Sequence, residues 1–136
     1  MAGYSGTPLP KKLGIKPDHV VALLDAPAGA ADLLTPRPDG VEVRHDARAQ
    51  ADVTIVFCPT RAALRRRTTQ LWRLAFPDRA VWIAWPKKSS DAFVDLTEDD
   101  VRSAALPLGL VDVKVCAIDD TWSGLKLVVR RELRDA

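Results

Sequence analysis

The sequence predicts a three-layer α/β domain whose sheet is mostly parallel and finishes in an antiparallel hairpin. Three observations carry this: apolar runs bounded by prolines or polar turns, helical patterns between those runs, and two alternating segments joined by a turn near the carboxyl end. The 136 residues, 47% hydrophobic and 28% charged, suit one globular domain over 1–136, with 1–18 as a lead-in.

In chain order, the lead-in opens with Gly3, Gly6, Pro8 and Pro10, then offers Leu9, Leu13 and Ile15 as a short amphipathic stretch closed by Gly14 and Pro17. His19 to Asp25 is almost wholly apolar between Pro17 and Pro27, the pattern of a strand buried on both faces. Ala28 to Leu34 reads as about two helical turns, stopped by the cluster from Thr35 to Gly40. Val41 to His45 alternates and belongs at a sheet edge, whereas Asp52 to Phe57 looks central. Residues 46–51 could span only about 20 Å, short for a crossover between neighbouring parallel strands, so the pairing of these two strands stays open.

Thr60 can cap a helix from Arg61 to Phe76, with Leu64, Leu71, Leu74 and Ala75 as its apolar stripe and Pro77 and Asp78 ending it. Arg79 to Trp85 is another buried-type strand, and Pro86 to Ser90 a polar loop. Thr97 and Asp100 resemble a capping pair ahead of Val101, Ala104, Ala105 and Leu108, while Pro107 kinks or ends that helix and Gly109 suits its terminus. Val111 to Ile118 alternates, Asp119 to Gly124 turns, and Leu125 to Arg131 returns as the second arm of a hairpin.

Twenty Lys+Arg against eighteen Asp+Glu leave a net charge of +2, too small to argue for general nucleic-acid or membrane affinity. The longest apolar runs, such as Val20 to Leu24 and Val81 to Trp85, fall far short of the roughly 20 residues that span a bilayer, and no signal-peptide core follows Lys11 and Lys12. Cys58 and Cys116 lack metal-ligand spacing and are too few for a disulfide framework, which points to reduced thiols in a cytoplasmic protein without a metal. The sequence carries no signal for an oligomeric state.

The order LGIKPDHVVALLDAPAG, DVTIVF, helix, VWIAWP, helix, VDVKVCAID and a return strand resembles the class I methyltransferase fold over nearly the whole chain. That resemblance implies a reduced, Rossmann-like architecture and, where the family's motif is intact, binding of S-adenosylmethionine. The family normally has an acidic residue inside the first strand and a Gly-x-Gly-x-Gly turn that lets the backbone approach the cofactor. Here Leu23 takes the acidic place, Asp25 and Pro27 take two glycine places, and Gly29 alone remains. Proline lacks an N–H, and side chains obstruct the approach. No cofactor held in the usual manner is therefore expected, and S-adenosylmethionine would need an unconventional mode. The segments AGYSGTPLPKKLGIK, DAPAG, AWPKK, DLTEDDVR and GLVDVKVCAIDDTWSGLK are similar to a family of small uncharacterised bacterial proteins, a domain of unknown function found largely in high-GC Gram-positive bacteria. That resemblance implies the same fold and names no activity.

In an open α/β sheet the functional crevice lies beyond the carboxyl ends of the parallel strands, here Asp25 to Gly29, Cys58 to Arg61, Trp85 to Lys88 and Asp119 to Trp122. Lys87, Lys88, Arg61 and the amino terminus of its helix suit an anion such as a phosphate, carboxylate or nucleotide; the competing reading is solvated charge at loop and helix ends. Trp85 and Trp122 suit stacking on a planar ligand, or core and interface packing. Asp119 and Asp120 suit a cation or acid–base chemistry, or simply a turn. Cys58 precedes a helix start, where a thiol can be activated, but only His19 and His45 could serve as base and neither is expected at that edge. Cys116 reads as structural. The run Arg65, Arg66 and Arg67, extended by Arg73 if the helix faces agree, lacks aromatic interleaving, and a solvated face is favoured over nucleic acid. Tyr4, Ser5 and Thr7 are read as folding over the same edge.

These residues favour a noncatalytic binding or regulatory module with an anion or nucleotide pocket around Gly29, Arg61, Trp85, Lys87, Lys88, Asp119 and Trp122. One alternative is an enzyme, either an unconventional S-adenosylmethionine-dependent methyltransferase or a transferase using Asp119 or Asp120 as base. Another is a structural partner protein anchored by Trp85 and Trp122.

Overall fold

A computed structural model describes residues 7–135. Its sheet has six strands: β1 (Val20–Leu24), β2 (Glu42–Arg44), β3 (Val53–Phe57), β4 (Ala80–Pro86), β5 (Leu110–Ala117) and β6 (Trp122–Val129). Their spatial order is β2-β1-β3-β4-β6-β5, with β6 antiparallel to both of its neighbours and the other pairs parallel. The expected architecture is thus the observed one, a reduced Rossmann-like sheet closing in a hairpin.

The open question of 41–45 and 52–57 resolves through β1, which lies between them and pairs with both. Arg44 lies opposite Ala22 and Val53 opposite Val21, so the connection barely has to rewind along the strands. Its lateral step is two strand spacings, about 10 Å, which a short segment covers. Gln50 anchors the crossover by donating to the Arg73 and Phe76 carbonyls at the end of the following helix.

β3 and β4 are buried along their whole lengths because both sheet faces are covered there. On one face lie α2 (Arg61–Ala75) and α3 (Glu98–Ala105), packed over Val56, Val81, Ile83, Leu125 and Leu127. Thr60 caps α2 by accepting from the Ala63 N–H at 3.1 Å, and the expected stripe of Leu64, Leu71, Leu74 and Ala75 is buried. Thr97 and Asp100 form a complete capping box on α3. That helix ends at Ala105, Pro107 sits in a 3-10 turn (Leu106–Leu108), and Gly109 follows at φ 85°.

The opposite face has a thinner cover, made of the lead-in, with α1 at Leu9–Lys12, and a 3-10 helix (Ala30–Leu34). The expected two-turn α-helix is therefore shorter and tighter. Pro27 and the Thr35–Pro36 step confine the segment, leaving too few residues for sustained i→i−4 bonding. Leu13 and Ile15 are buried in this layer, and the fully buried Trp82 donates its indole N–H to the Leu13 carbonyl at 3.1 Å.

The hairpin departs from expectation twice. Clean alternation in β5 is broken by a bulge between Asp112 and Lys114, which leaves Val113 54% exposed. The turn is also shorter than 119–124, because Asp119 accepts from both the Thr121 and Trp122 N–H groups and reverses the chain at once. Trp122, Ser123 and Gly124 consequently lie in β6. Gly124 is required by close approach: a Cβ there would lie 3.0 Å from Ile118 and 3.1 Å from Trp82.

Candidate functional site

β1 is where the strand order reverses: the chain leaves it toward β2 and returns to β3 on its other side. In such sheets the crevice at this switch point is the usual ligand site. Here its entrance holds Asp25, at φ 57°, whose carboxylate pairs with Arg67 of α2 at 3.0 Å. Arg67 also donates to Gln70 at 2.7 Å, which holds the guanidinium in place. Gly29 is exposed at φ 80°, with open space where a Cβ would project. The Ala30 N–H donates to the Pro27 carbonyl and the Asp32 N–H to the Gly29 carbonyl, so both are spent within the 3-10 turn.

Cys58 lies at the same switch point and is fully buried. Burial pushes its thiol up to about 12, helped by the nearby Asp25 charge and opposed by Arg67 and Arg66. A neutral thiol without an adjacent base is a packing group rather than a nucleophile. His19 lines a cavity at the other end of the strands, and His45 follows β2, two strands from β3. Cys116 is half-buried and its thiol is likewise raised by desolvation.

The N-terminus of α2, expected to receive an anion, is met by the protein's own carboxylates. The Arg61 N–H donates to Asp95 at 2.9 Å, and the Arg61 side chain pairs with Asp100 at 3.0 Å. Asp100 sits below the usual carboxylate range, chiefly through the Thr97 backbone N–H and then through Arg61. Arg61 therefore bridges α2 to α3 and does not join the two lysines.

Lys87 and Lys88 instead line a cavity of about 430 Å³ with Trp85, Thr97, Glu98, Asp99 and Ser123, between the end of β4 and the start of α3. Neither lysine is in an ion pair among the described residues, whereas Glu98 and Asp99 both engage Arg102, at 2.5 and 3.4 Å. The cations are thus the uncommitted charges of the cavity. Trp85, only 6% exposed, forms its wall and leaves little ring surface for stacking.

Trp122 does not share this cavity. Trp85 lies opposite Ser123 and Pro86 opposite Trp122, and successive residues of a strand face opposite sides of the sheet. Trp122 accordingly packs edge-on against Phe57, centroids 5.1 Å apart, on the lead-in face. Asp119 is engaged in its turn, and Asp120 is exposed beside it. Of the seven residues expected to form one pocket, the structure brings together Trp85, Lys87 and Lys88. Thr97 and Ser123 join them, the first visible in sequence only as a cap and the second only as a turn residue. Tyr4 and Ser5 lie outside the described residues. Arg65 and Arg66 are exposed on α2, while Arg73 donates to the Ala47 carbonyl at 3.3 Å. No helix among the described residues is long and apolar enough to cross a membrane, and no cluster there could hold a metal ion.

No protein-family model matches the sequence, and no curated protein is similar to it. Its fold is similar to that of a SAM-dependent methyltransferase from Aquifex aeolicus, with a TM-score of 0.58 at 14% identity over 88% of this chain and 87% of that one. It is also similar to magnesium protoporphyrin IX methyltransferase from Synechocystis PCC 6803 with bound SAM, with a TM-score of 0.52 at 15% identity over 90% and 74% of the two chains. A possible exported protein from Bordetella parapertussis scores 0.57 at 12% identity over 85% and 63%. These likenesses establish a methyltransferase-like Rossmann fold. The residues of the β1 turn do not fit S-adenosylmethionine in the family's usual mode: Pro27 has no N–H, two neighbouring N–H groups are spent, and a carboxylate stands at the entrance.

Proposed function

We propose that the chain is a noncatalytic binding or regulatory module on a methyltransferase-like scaffold, and that the cavity beside β4 takes a small oxyanion, a phosphate or carboxylate group. The observation that carries this reading is the pair Lys87 and Lys88, uncommitted to any carboxylate among the described residues, beside the Ser123 hydroxyl, while the Thr97 hydroxyl is donated to Asp100 within the capping box. Hydroxyls and ammonium groups are the donor set that an oxyanion needs. Two of the groups considered for chemistry are engaged elsewhere, Cys58 as a buried neutral thiol and Asp119 in a turn, and Asp120 is exposed beside that turn, away from the cavity lining. Trp85 as a wall favours a compact anion over a stacked nucleotide base.

The test is a calorimetric titration of the purified protein with inorganic phosphate, acetate and ATP. Saturable binding that weakens at least ten-fold in Lys87→Ala with Lys88→Ala, with an unchanged folded spectrum, supports the reading. Binding at this cavity that ignores the double substitution overturns it.

A second reading, a methyltransferase with an unconventional cofactor mode, is favoured by one observation, the fold shared with a SAM-bound methyltransferase. It requires saturable binding of S-adenosylmethionine and S-adenosylhomocysteine, abolished by substitutions in the turn from Asp25 to Gly29.

A further inference from the structure

Opposite the cavity just described, at the amino ends of the strands, lies a larger one of about 550 Å³. Lead-in residues Leu13, Gly14 and Lys16 form one wall, and His19, Asp52, Val53, Asp78, Arg79, Ala80 and Lys126 the rest. We infer that this cavity is a second, separate site for a small oxyanion of the phosphate class.

Lys126 carries the argument. It belongs to β6, opposite Trp82 on one side and Lys114 on the other, so all three side chains share the lead-in face. Like charges directly across a pair of strands repel and are destabilising. Lys114 turns to the Lys12 carbonyl at 3.0 Å. Lys126 is half-buried, its ammonium lies 3.5 Å from where a Gly14 Cβ would stand, and it makes no ion pair among the described residues.

Two further donors point the same way. Arg79 Nε is buried without a hydrogen-bond partner among the described residues, although an unmatched buried guanidinium donor is costly. The Lys16 N–H donates to His19 Nδ1 at 3.1 Å, which places the proton of the neutral ring on Nε2 and makes that nitrogen a donor. Two carboxylates also line the cavity. Asp52 accepts from the Val20 N–H at 2.7 Å, and neither Asp52 nor Asp78 forms an ion pair with Lys16, Arg79 or Lys126 among the described residues. Lys16, Arg79 and Lys126 outnumber Asp52 and Asp78, so the lining is a net cation by one charge, which an oxyanion balances. The volume suits a small molecule.

The experiment is a titration of the ¹⁵N-labelled full chain with sodium pyrophosphate at constant ionic strength, read at individual amides. The expected result is saturable shifts at Gly14, His19, Val53 and Ala80 that weaken at least ten-fold in Lys126→Met, a variant that keeps the apolar stem. Lys87→Ala with Lys88→Ala leaves these shifts unchanged, so this site and the one beside β4 are read separately. Lys16→Ala, on an exposed side chain, gives a second reading that does not depend on the packing of position 126, with binding at least three-fold weaker. Absence of saturable shifts at this edge overturns the inference, as do shifts that persist undiminished in both variants.

Discussion

A cysteine placed between a strand and a helix can become a nucleophile or disappear into the core, and Cys58 does the second. Its raised thiol has a consequence for stability. In the unfolded chain the thiol ionises near its ordinary value of 9, whereas in the fold it keeps its proton up to about 12. The unfolded state therefore sheds its proton first, and the stabilisation present below pH 9 is lost as pH rises between these values. Two outcomes follow: native protein at pH 8 leaves Cys58 unreacted with a thiol reagent until it unfolds, and urea midpoints fall above pH 9 by less in Cys58→Ala than in wild type. The apolar run ahead of Cys58 made the buried reading legible. The opposed directions of Trp85 and Trp122 were not, because they depend on how many residues the turn consumes, and that is set by the two hydrogen bonds to Asp119.

Among the elements, α3 is the most heavily specified by its ends. Its box of Thr97 and Asp100 was readable from spacing alone, but the link from Asp100 to Arg61 of α2 was not, since it joins positions 39 residues apart. Thr97→Ala should cost about 1 kcal/mol by urea unfolding, as loss of an N-cap usually does. Asp100 and Asp112 are both held below the usual carboxylate range, the first mainly by the Thr97 N–H and the second mainly by Arg102. Groups lowered in the fold stabilise above their unfolded value and lose that contribution as pH falls through the folded one. Acid unfolding below about pH 4 should therefore be less steep in Asp112→Asn than in wild type. At the far end of the same segment, Gly109 combines φ 85° with a Cβ direction blocked by Leu133 at 2.8 Å and Trp72 at 3.0 Å. Gly109→Ala should destabilise by about 1–3 kcal/mol, read as a lower urea midpoint with an unchanged slope.

For the molecule as a whole, hydrophobic period and turn residues were enough to give the sheet and its closing hairpin, because buried strands such as Val53–Phe57 and Ala80–Pro86 admit no other placement. What they could not supply was the side of β1 on which Glu42–Arg44 lies, which rests on register, or the partition of the basic residues. Arg61 is taken by Asp100 and Asp95, while Lys87 and Lys88 are left uncommitted, and only tertiary contacts decide that. The fold is methyltransferase-like, but its switch point is occupied by an Asp25–Arg67 pair, and the uncommitted pair Lys87 and Lys88 lies beside β4. A ligand at 100 times its dissociation constant adds about 2.7 kcal/mol, a rise in Tm on the order of 10 °C for a domain of this size. The most direct measurement is the ¹⁵N spectrum of the protein titrated in parallel with inorganic phosphate and with S-adenosylmethionine. Saturable phosphate shifts at Thr97 and Ser123, lost in Lys87→Ala with Lys88→Ala and not reproduced by S-adenosylmethionine, are the predicted result. Saturable S-adenosylmethionine shifts from Asp25 to Gly29, with Thr97 and Ser123 silent to phosphate, would contradict it.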